Sequence, residues 1–98
     1  MPKKSIPQLL VHSPHDNVGV VVVEGLQAGV NMFCVITENN EAFRLKVKAD
    51  IPIGHKVALK DLKPGDTAIK YGEDIGRIVA AVGKGGHVHT QNLKTKRW

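Results

Sequence analysis

The segment Phe43-Arg44-Leu45-Lys46-Val47-Lys48 alternates strictly between apolar and basic side chains. Successive side chains of a β-strand point to opposite faces, so this run puts Phe43, Leu45 and Val47 inward and Arg44, Lys46 and Lys48 in solvent. No stretch of useful length shows the three-to-four-residue recurrence of an amphipathic helix, and Asp61-Leu62-Lys63 allows one helical turn at most. Ten Gly and five Pro interrupt the 98 residues, which suits short strands joined by tight turns. Aromatic residues make up only 4% of the chain, so Val, Ile, Leu and Ala must fill the core. The length allows one domain, 1–98, and no linker or internal repeat is expected. The prediction is a compact all-β domain of roughly seven to nine short strands.

Gln8–His12 is the first strand candidate, followed by a polar turn at Ser13-Pro14-His15-Asp16-Asn17 in which Asp16 and Asn17 cap the backbone. Val18–Glu24 is apolar at nearly every position, as a strand buried on both faces would be. Met32–Glu38 and Ala42–Lys48 form a hairpin across Asn39-Asn40, residues that tolerate positive φ. Asp50-Ile51-Pro52-Ile53-Gly54 turns into a strand at His55–Leu59. Lys63-Pro64-Gly65-Asp66 has Pro and Gly placed for a type II turn. Further strands run through Ala68–Lys70 and from Ile75 to Val82.

Several function classes lack their residues. Cys34 is the only cysteine, so no intrachain disulfide forms, and its apolar setting (Met32-Phe33-Cys34-Val35-Ile36) reads as a buried thiol, not a nucleophile. The cysteine pairs of a structural zinc site are absent. The start Met1-Pro2-Lys3-Lys4 leads into no secretory signal, and the Val-rich run at 18–23 is too short for a bilayer, so a cytoplasmic protein is expected with no membrane partner. The net charge of +5 raises nucleic acid as a ligand, but single-strand binding wants exposed aromatics among the basic residues, and these are scarce. Gly83-Lys84-Gly85-Gly86 matches no phosphate-loop pattern and reads better as a flexible hinge beside a substrate.

The chemistry-bearing residues are the histidines. On a strand, His87 and His89 present two imidazoles on one face with Gln91 continuing the row, an arrangement suited to a metal ion or to proton transfer near neutral pH. His55 follows Gly54 at a strand start, where it is either a histidine bonded to nearby backbone or an acid–base group. Glu73-Asp74, between Gly72 and Gly76, reads as a solvated turn or as a carboxylate that orders a neighbouring histidine or lysine. His12 closes the first strand, and His15 beside Pro14 belongs at the surface. The tail 93–98, Leu93-Lys94-Thr95-Lys96-Arg97-Trp98, is basic and ends on the only tryptophan, which suits a docking strand for a partner.

From His12 to Asn92 the chain resembles the small SAF-type domain of the altronate and galactarate dehydratase family. The matching segments, in order, are His12 with Asp16-Asn17-Val18, Gly54-His55-Lys56-Val57-Ala58-Leu59, Ile69-Lys70-Tyr71-Gly72, Ile75-Gly76, and Gly86-His87-Val88-His89 with Asn92. The resemblance implies a β-clip (SAF) fold and a lyase that eliminates sulfite or water from a 2-hydroxy acid such as sulfolactate or altronate. It is greatest to members whose small domain is a stand-alone subunit, and it therefore implies a large catalytic partner chain. It implies a divalent metal, iron(II) being the family's usual choice. On this footing His55, His87 and His89 are catalytic candidates, and His87, His89 and His12 are metal-ligand candidates. Lys56, Arg77 and Gln91 are candidates for holding the anionic substrate. Relatives commonly read His-Val-His-x-His-Asn where this chain has Gln91, which hydrogen-bonds but takes up no proton. The alternative is a non-catalytic carbohydrate- or anion-binding lid over a site made by the partner.

Overall fold

Residues 6–70, 73–89 and 93–95 are described by the computed structural model, and every regular element among them is a β-strand. In chain order these are β1 (Leu9–Val11), β2 (Val18–Val21), β3 (Asn31–Ile36), β4 (Glu41–Lys46), β5 (Lys56–Ala58), β6 (Thr67–Lys70), β7 (Glu73–Ile78), β8 (His87–Val88) and β9 (Leu93–Thr95). A six-stranded sheet runs β4-β3-β1-β2-β5-β8, and a three-stranded sheet runs β6-β7-β9. All the pairs are antiparallel except β1 with β3. No helix among the described residues is long and apolar enough to cross a membrane.

The alternating run behaves as its pattern requires. Leu45 and Val47 are buried, Phe43 is half-buried, and Arg44, Lys46 and Lys48 are exposed. The β3–β4 hairpin closes through Asn40 at φ 60°, with the Glu41 N–H donating to Asn39 Oδ1 at 3.0 Å. Val18–Glu24 is shorter than expected: β2 ends at Val21, and Val22 is 37% exposed. The strand expected at Ile75–Val82 is shifted toward the N-terminus, because β7 begins at Glu73 and ends at Ile78. Glu73 and Asp74 therefore lie in the β6–β7 ladder opposite Lys70 and Ile69. They are not in a turn. Leu93–Thr95 pairs with β7, so this part of the basic tail is a strand of the chain's own sheet. Lys96, Arg97 and Trp98 lie outside the described residues.

An internal repeat that the sequence did not announce organises the turns. Four segments share the form apolar-x-x-Gly: Leu26 to Gly29, Ile51 to Gly54, Leu62 to Gly65 and Val82 to Gly85. Their apolar residues pair as two antiparallel bridges, Leu26 with Ile51 and Leu62 with Val82. In each, the glycine takes positive φ (92°, 87°, 97° and 85°) and the next N–H bonds back across the turn, at 3.2, 3.1, 3.0 and 2.8 Å. These are type II turns, which require a residue that accepts φ > 0 at the third position. They lead into β3, β5, β6 and β8. Only two positions of each segment are constrained, too few for the repeat to show in sequence.

Two aliphatic clusters form the core. Leu9, Val21, Met32, Cys34, Ile51 and Val57 belong to the larger, under the six-stranded sheet. Val18, Ala58, Leu62, Ala68, Ile78 and Val88 form most of the smaller, which joins that sheet to β6 and β7. Burial pushes the Cys34 thiol up to about 11, despite the nearby Arg44 charge, so it stays protonated and inert. Asp16 caps its turn as expected, accepting the Ser13 N–H at 3.3 Å. Asn17 does not cap it. Its side chain donates to Thr67 O at 2.8 Å and accepts the Ile69 N–H at 2.7 Å, fastening β6 to the start of β2. Among the described residues, no buried side-chain nitrogen or oxygen lacks a hydrogen-bond partner.

Candidate active site

Two of the four turns deliver the histidines. His55 closes the turn begun by Pro52, its N–H donating to Pro52 O at 3.1 Å and its carbonyl accepting the Val21 N–H at 2.9 Å. His87 opens β8 opposite Val57, immediately after the glycine turn. That turn is fixed and is not the expected hinge. The Gly85 N–H donates to Ala58 O at 2.8 Å, Ala58 N–H to Gly86 O at 2.9 Å, and Lys48 N–H to Gly85 O at 2.9 Å. A Cβ on Gly85 would drive into the Lys46 carbonyl, and one on Gly86 would meet Val82 Cγ2 at 2.6 Å. Nor is the turn an open anion nest, since the Lys84 N–H is taken by Asp61 Oδ1 at 2.8 Å.

The three catalytic candidates converge. His55 Nδ1 and His87 Nε2 are 2.8 Å apart, so one ring donates N–H to the lone pair of the other. The His55 and His89 rings stack with centroids 3.7 Å apart and planes 16° from parallel. His55–His87 centroids are 5.0 Å apart and His87–His89 5.9 Å. His87 opens β8 and His89 lies just past its end, not on the strand as expected, and each is nearer to His55 than to the other. The pair expected to stand side by side is bridged by a histidine from a distant turn.

Burial and neighbouring groups favour the neutral form of His87 and His89. The His87 pKa lies below the usual histidine value because burial disfavours its cation, as do His55 and His89. His89 is shifted the same way by desolvation, then by His55 and by the Lys56 ammonium. Lys56, half-buried on β5, is itself lowered, first by burial and then by Lys70. Lys56 is therefore close enough to feel both the imidazole stack and Lys70.

The other candidates fall in different places. His12 is exposed at the end of β1 and lines a groove of about 200 Å3 with Leu10, Val20, Val22, Thr37 and Lys70. Arg77 is exposed on β7, between Thr67 and Lys94 in the ladders. Gln91 lies outside the described residues. Among the described residues, no three His, Cys, Asp or Glu side chains are gathered to hold a metal ion. His87 also has its Nε2 engaged by His55. The sequence reading missed Lys70 and the cross-strand role of Asn17. Both lie in segments that carried the family resemblance, but neither had an identifiable function without its neighbours.

This all-β chain with its histidine cluster belongs to the altronate/galactarate dehydratase SAF domain family, which it matches over residues 7–96. Among curated relatives, it is 69% identical over 67 residues to the (2R)-sulfolactate sulfo-lyase subunit alpha of Paracoccus pantotrophus, covering 68% of this chain and all of that one. It is 48% identical over 89 residues to the protein of the same name from Chromohalobacter salexigens, covering 91% of this chain and 95% of that one. The altronate dehydratase of Escherichia coli is 36% identical over 80 residues, 82% of this chain but only 15% of the longer protein.

Proposed function

We propose that the chain is the small subunit of a cytoplasmic sulfolactate sulfo-lyase, acting with a large partner chain that completes the active site. The observation that carries this reading is the stack of three imidazoles beside Lys56, in a chain whose named relatives of similar length are sulfo-lyase α subunits. Sulfolactate is a three-carbon 2-hydroxy acid with a sulfonate on C3. A base takes the C2 proton, the C–H electron pair forms the C2–C3 double bond, and the C3–S bond breaks with its pair leaving on sulfite. The resulting enol tautomerises to the 2-keto acid.

Proton removal needs a neutral base with an accessible lone pair, and His87 and His89 are disposed to be neutral at pH 7. The His55–His87 hydrogen bond makes the two tautomers complementary, because the ring nitrogen that carries the proton donates it to the lone pair of the other ring. Lys56, whose charge lowers the His89 pKa, is the candidate cation for the charge that develops on the enediolate-like transition state. Any divalent cation, iron(II) being the one implied by the resemblance, is assigned chiefly to the large chain, because this chain gathers no three donors among its described residues.

The test is co-expression with the large chain, followed by assay of sulfite release from sulfolactate and of 2-keto acid formation from aldonates. Sulfite release by the complex and by neither chain alone is expected. Keto acid formation from altronate without sulfite release from sulfolactate overturns the reading in favour of a dehydratase. Unchanged turnover after His87→Ala and His89→Ala together overturns the catalytic role and leaves a lid.

A further inference from the structure

A sheet with one face on the core is expected to be polar on the other, and β4 obeys with Arg44 and Lys46. The strands beside it do not. Register partners lie on the same face of a sheet, and one row of them crosses five strands. It runs from Ala42 to Val35, then to Leu10, Val20 and Lys56. Two residues along β3 from Val35, Phe33 faces the same way and pairs with Arg44. Val22, just past β2, lines the same groove as Leu10 and Val20. Leu10, Val20, Phe33 and Val35 are half-buried, Val22 is exposed, and none of the five belongs to either aliphatic cluster. On the opposite face of the same strands Leu9, Val21, Met32 and Cys34 are fully buried.

A contiguous apolar strip with a polar border is the anatomy of an interface, an apolar centre inside a rim. Here the border is basic. The Arg44 guanidinium lies 5.1 Å from the centre of the Phe33 ring, which holds it against the β4 edge of the strip. Lys46 extends that edge opposite Asn31, and Lys56 closes the row on β5. Among the described residues no carboxylate pairs with Arg44, Lys46 or Lys56, and no strand position on this face is Asp or Glu. A second copy of the chain would bring the same cations, so a two-fold contact through the strip would set basic rim against basic rim on a chain of net charge +5. The strip fits a different chain, apolar at its centre and acidic at its borders. Its row ends at Lys56, one residue from His55, and so reaches the site assigned to both chains. We infer that this face, the apolar strip between its basic borders, is where the large chain docks. The inference rests on the two-chain reading proposed above, and it adds which surface joins the chains and what chemistry the large chain brings to it.

Binding of the purified large chain is measured by calorimetry for the unaltered small chain and three variants. Val35→Lys puts a charge at the apolar centre, and Arg44→Glu with Lys46→Glu reverses one border. Lys60→Glu with Lys63→Glu makes the same change in net charge on the exposed segment between β5 and β6. Val35→Lys is expected to weaken binding by about a hundredfold or more, as a central interface position does. The border reversal should weaken it by about tenfold or more, and the Lys60 and Lys63 reversal by less than about twofold. Urea midpoints establish that each variant is folded. Should Val35→Lys not fold, the border reversal, which changes only exposed side chains, decides between the same outcomes. Affinity unchanged by the face variants, or lowered equally by both reversals, overturns the docking face. So does a small-chain dimer that Val35→Lys dissociates, which would seat a second copy there, and so does RNA binding that the face variants lose while still binding the large chain. Absence of a complex with the unaltered chain overturns both the face and the two-chain reading. Face-dependent assembly without sulfite release removes the assigned reaction alone, whereas sulfite release by a complex indifferent to the face removes the face alone.

Discussion

The turn that ends at His55 and the turn that precedes His87 share one backbone geometry, yet their glycines have opposite surroundings. Both place a glycine at positive φ, Gly54 at 87° and Gly85 at 85°. A Cβ on Gly54 would meet nothing within 4 Å, whereas one on Gly85 would strike the Lys46 carbonyl. The first turn is tied to β2 by the Gly54 N–H to Val21 O bond at 2.8 Å but leaves its glycine exposed. The second is enclosed by β5 and by the chain leaving β4. Identical local geometry therefore carries different tertiary constraint, and the imidazole stack forms where the exposed turn meets the enclosed one.

The chemistry gives the largest expected effect and tests whether the two turns serve one site. His87→Ala with His89→Ala should lower sulfite release by the reconstituted complex by about a hundredfold to ten-thousandfold, the usual contribution of a positioned base. His55→Ala should cost nearly as much if the exposed turn contributes to the same site, and a loss confined to His87 and His89 would separate the turns functionally. The next effect is on stability. Gly85→Ala combines positive-φ strain with a backbone collision and should cost more than about 3 kcal/mol, while Gly54→Ala meets only the strain and should cost about 1 kcal/mol. Urea unfolding of both variants measures the difference, and equal costs would abolish the distinction between the turns.

Smaller effects sharpen the same contrast. Asn17→Ala leaves Thr67 O and the Ile69 N–H without their partner and should cost about 1–3 kcal/mol by the same measurement. The smallest concerns pH. The folded-state pKa of His87 lies below the ordinary value of 6.5, so between that lowered value and 6.5 the unfolded chain binds more protons than the folded one. Stability should then rise with pH through this window and decline as pH falls below 6.5. Urea midpoints across pH 5–8 check the sign, and replacing His87 with Gln should flatten the slope. The same shift keeps the base neutral, so the acid limb of kcat/KM should also fall below 6.5.

Much of the architecture could be read from residue order. The alternation at 43–48 and the Pro64-Gly65 turn are local patterns with one economical backbone solution each and form as expected, whereas the hairpin at Asn39-Asn40 forms with a four-residue loop, 37–40, because Ile36 pairs with Glu41. Strand ends were less legible, since nothing in Val21-Val22-Val23 marks where pairing stops. The end of β2 depends on how far β1 and β5 extend beside it. For the site, His87 and His89 were identified by their spacing. Their partner His55 could be identified as a candidate but not brought to them, because 32 residues separate it from His87.

Composition and local pattern thus determined an aliphatic, all-β domain with tight glycine turns, together with the residues able to do acid–base chemistry. Strand propensity, alternation and positive-φ turns are short-range properties, each decided within a few residues. Tertiary structure decided which histidines touch and that Asn17 joins two sheets. Those contacts follow from strand order and register, which are set by how two aliphatic clusters pack, and neighbouring residues alone do not encode them.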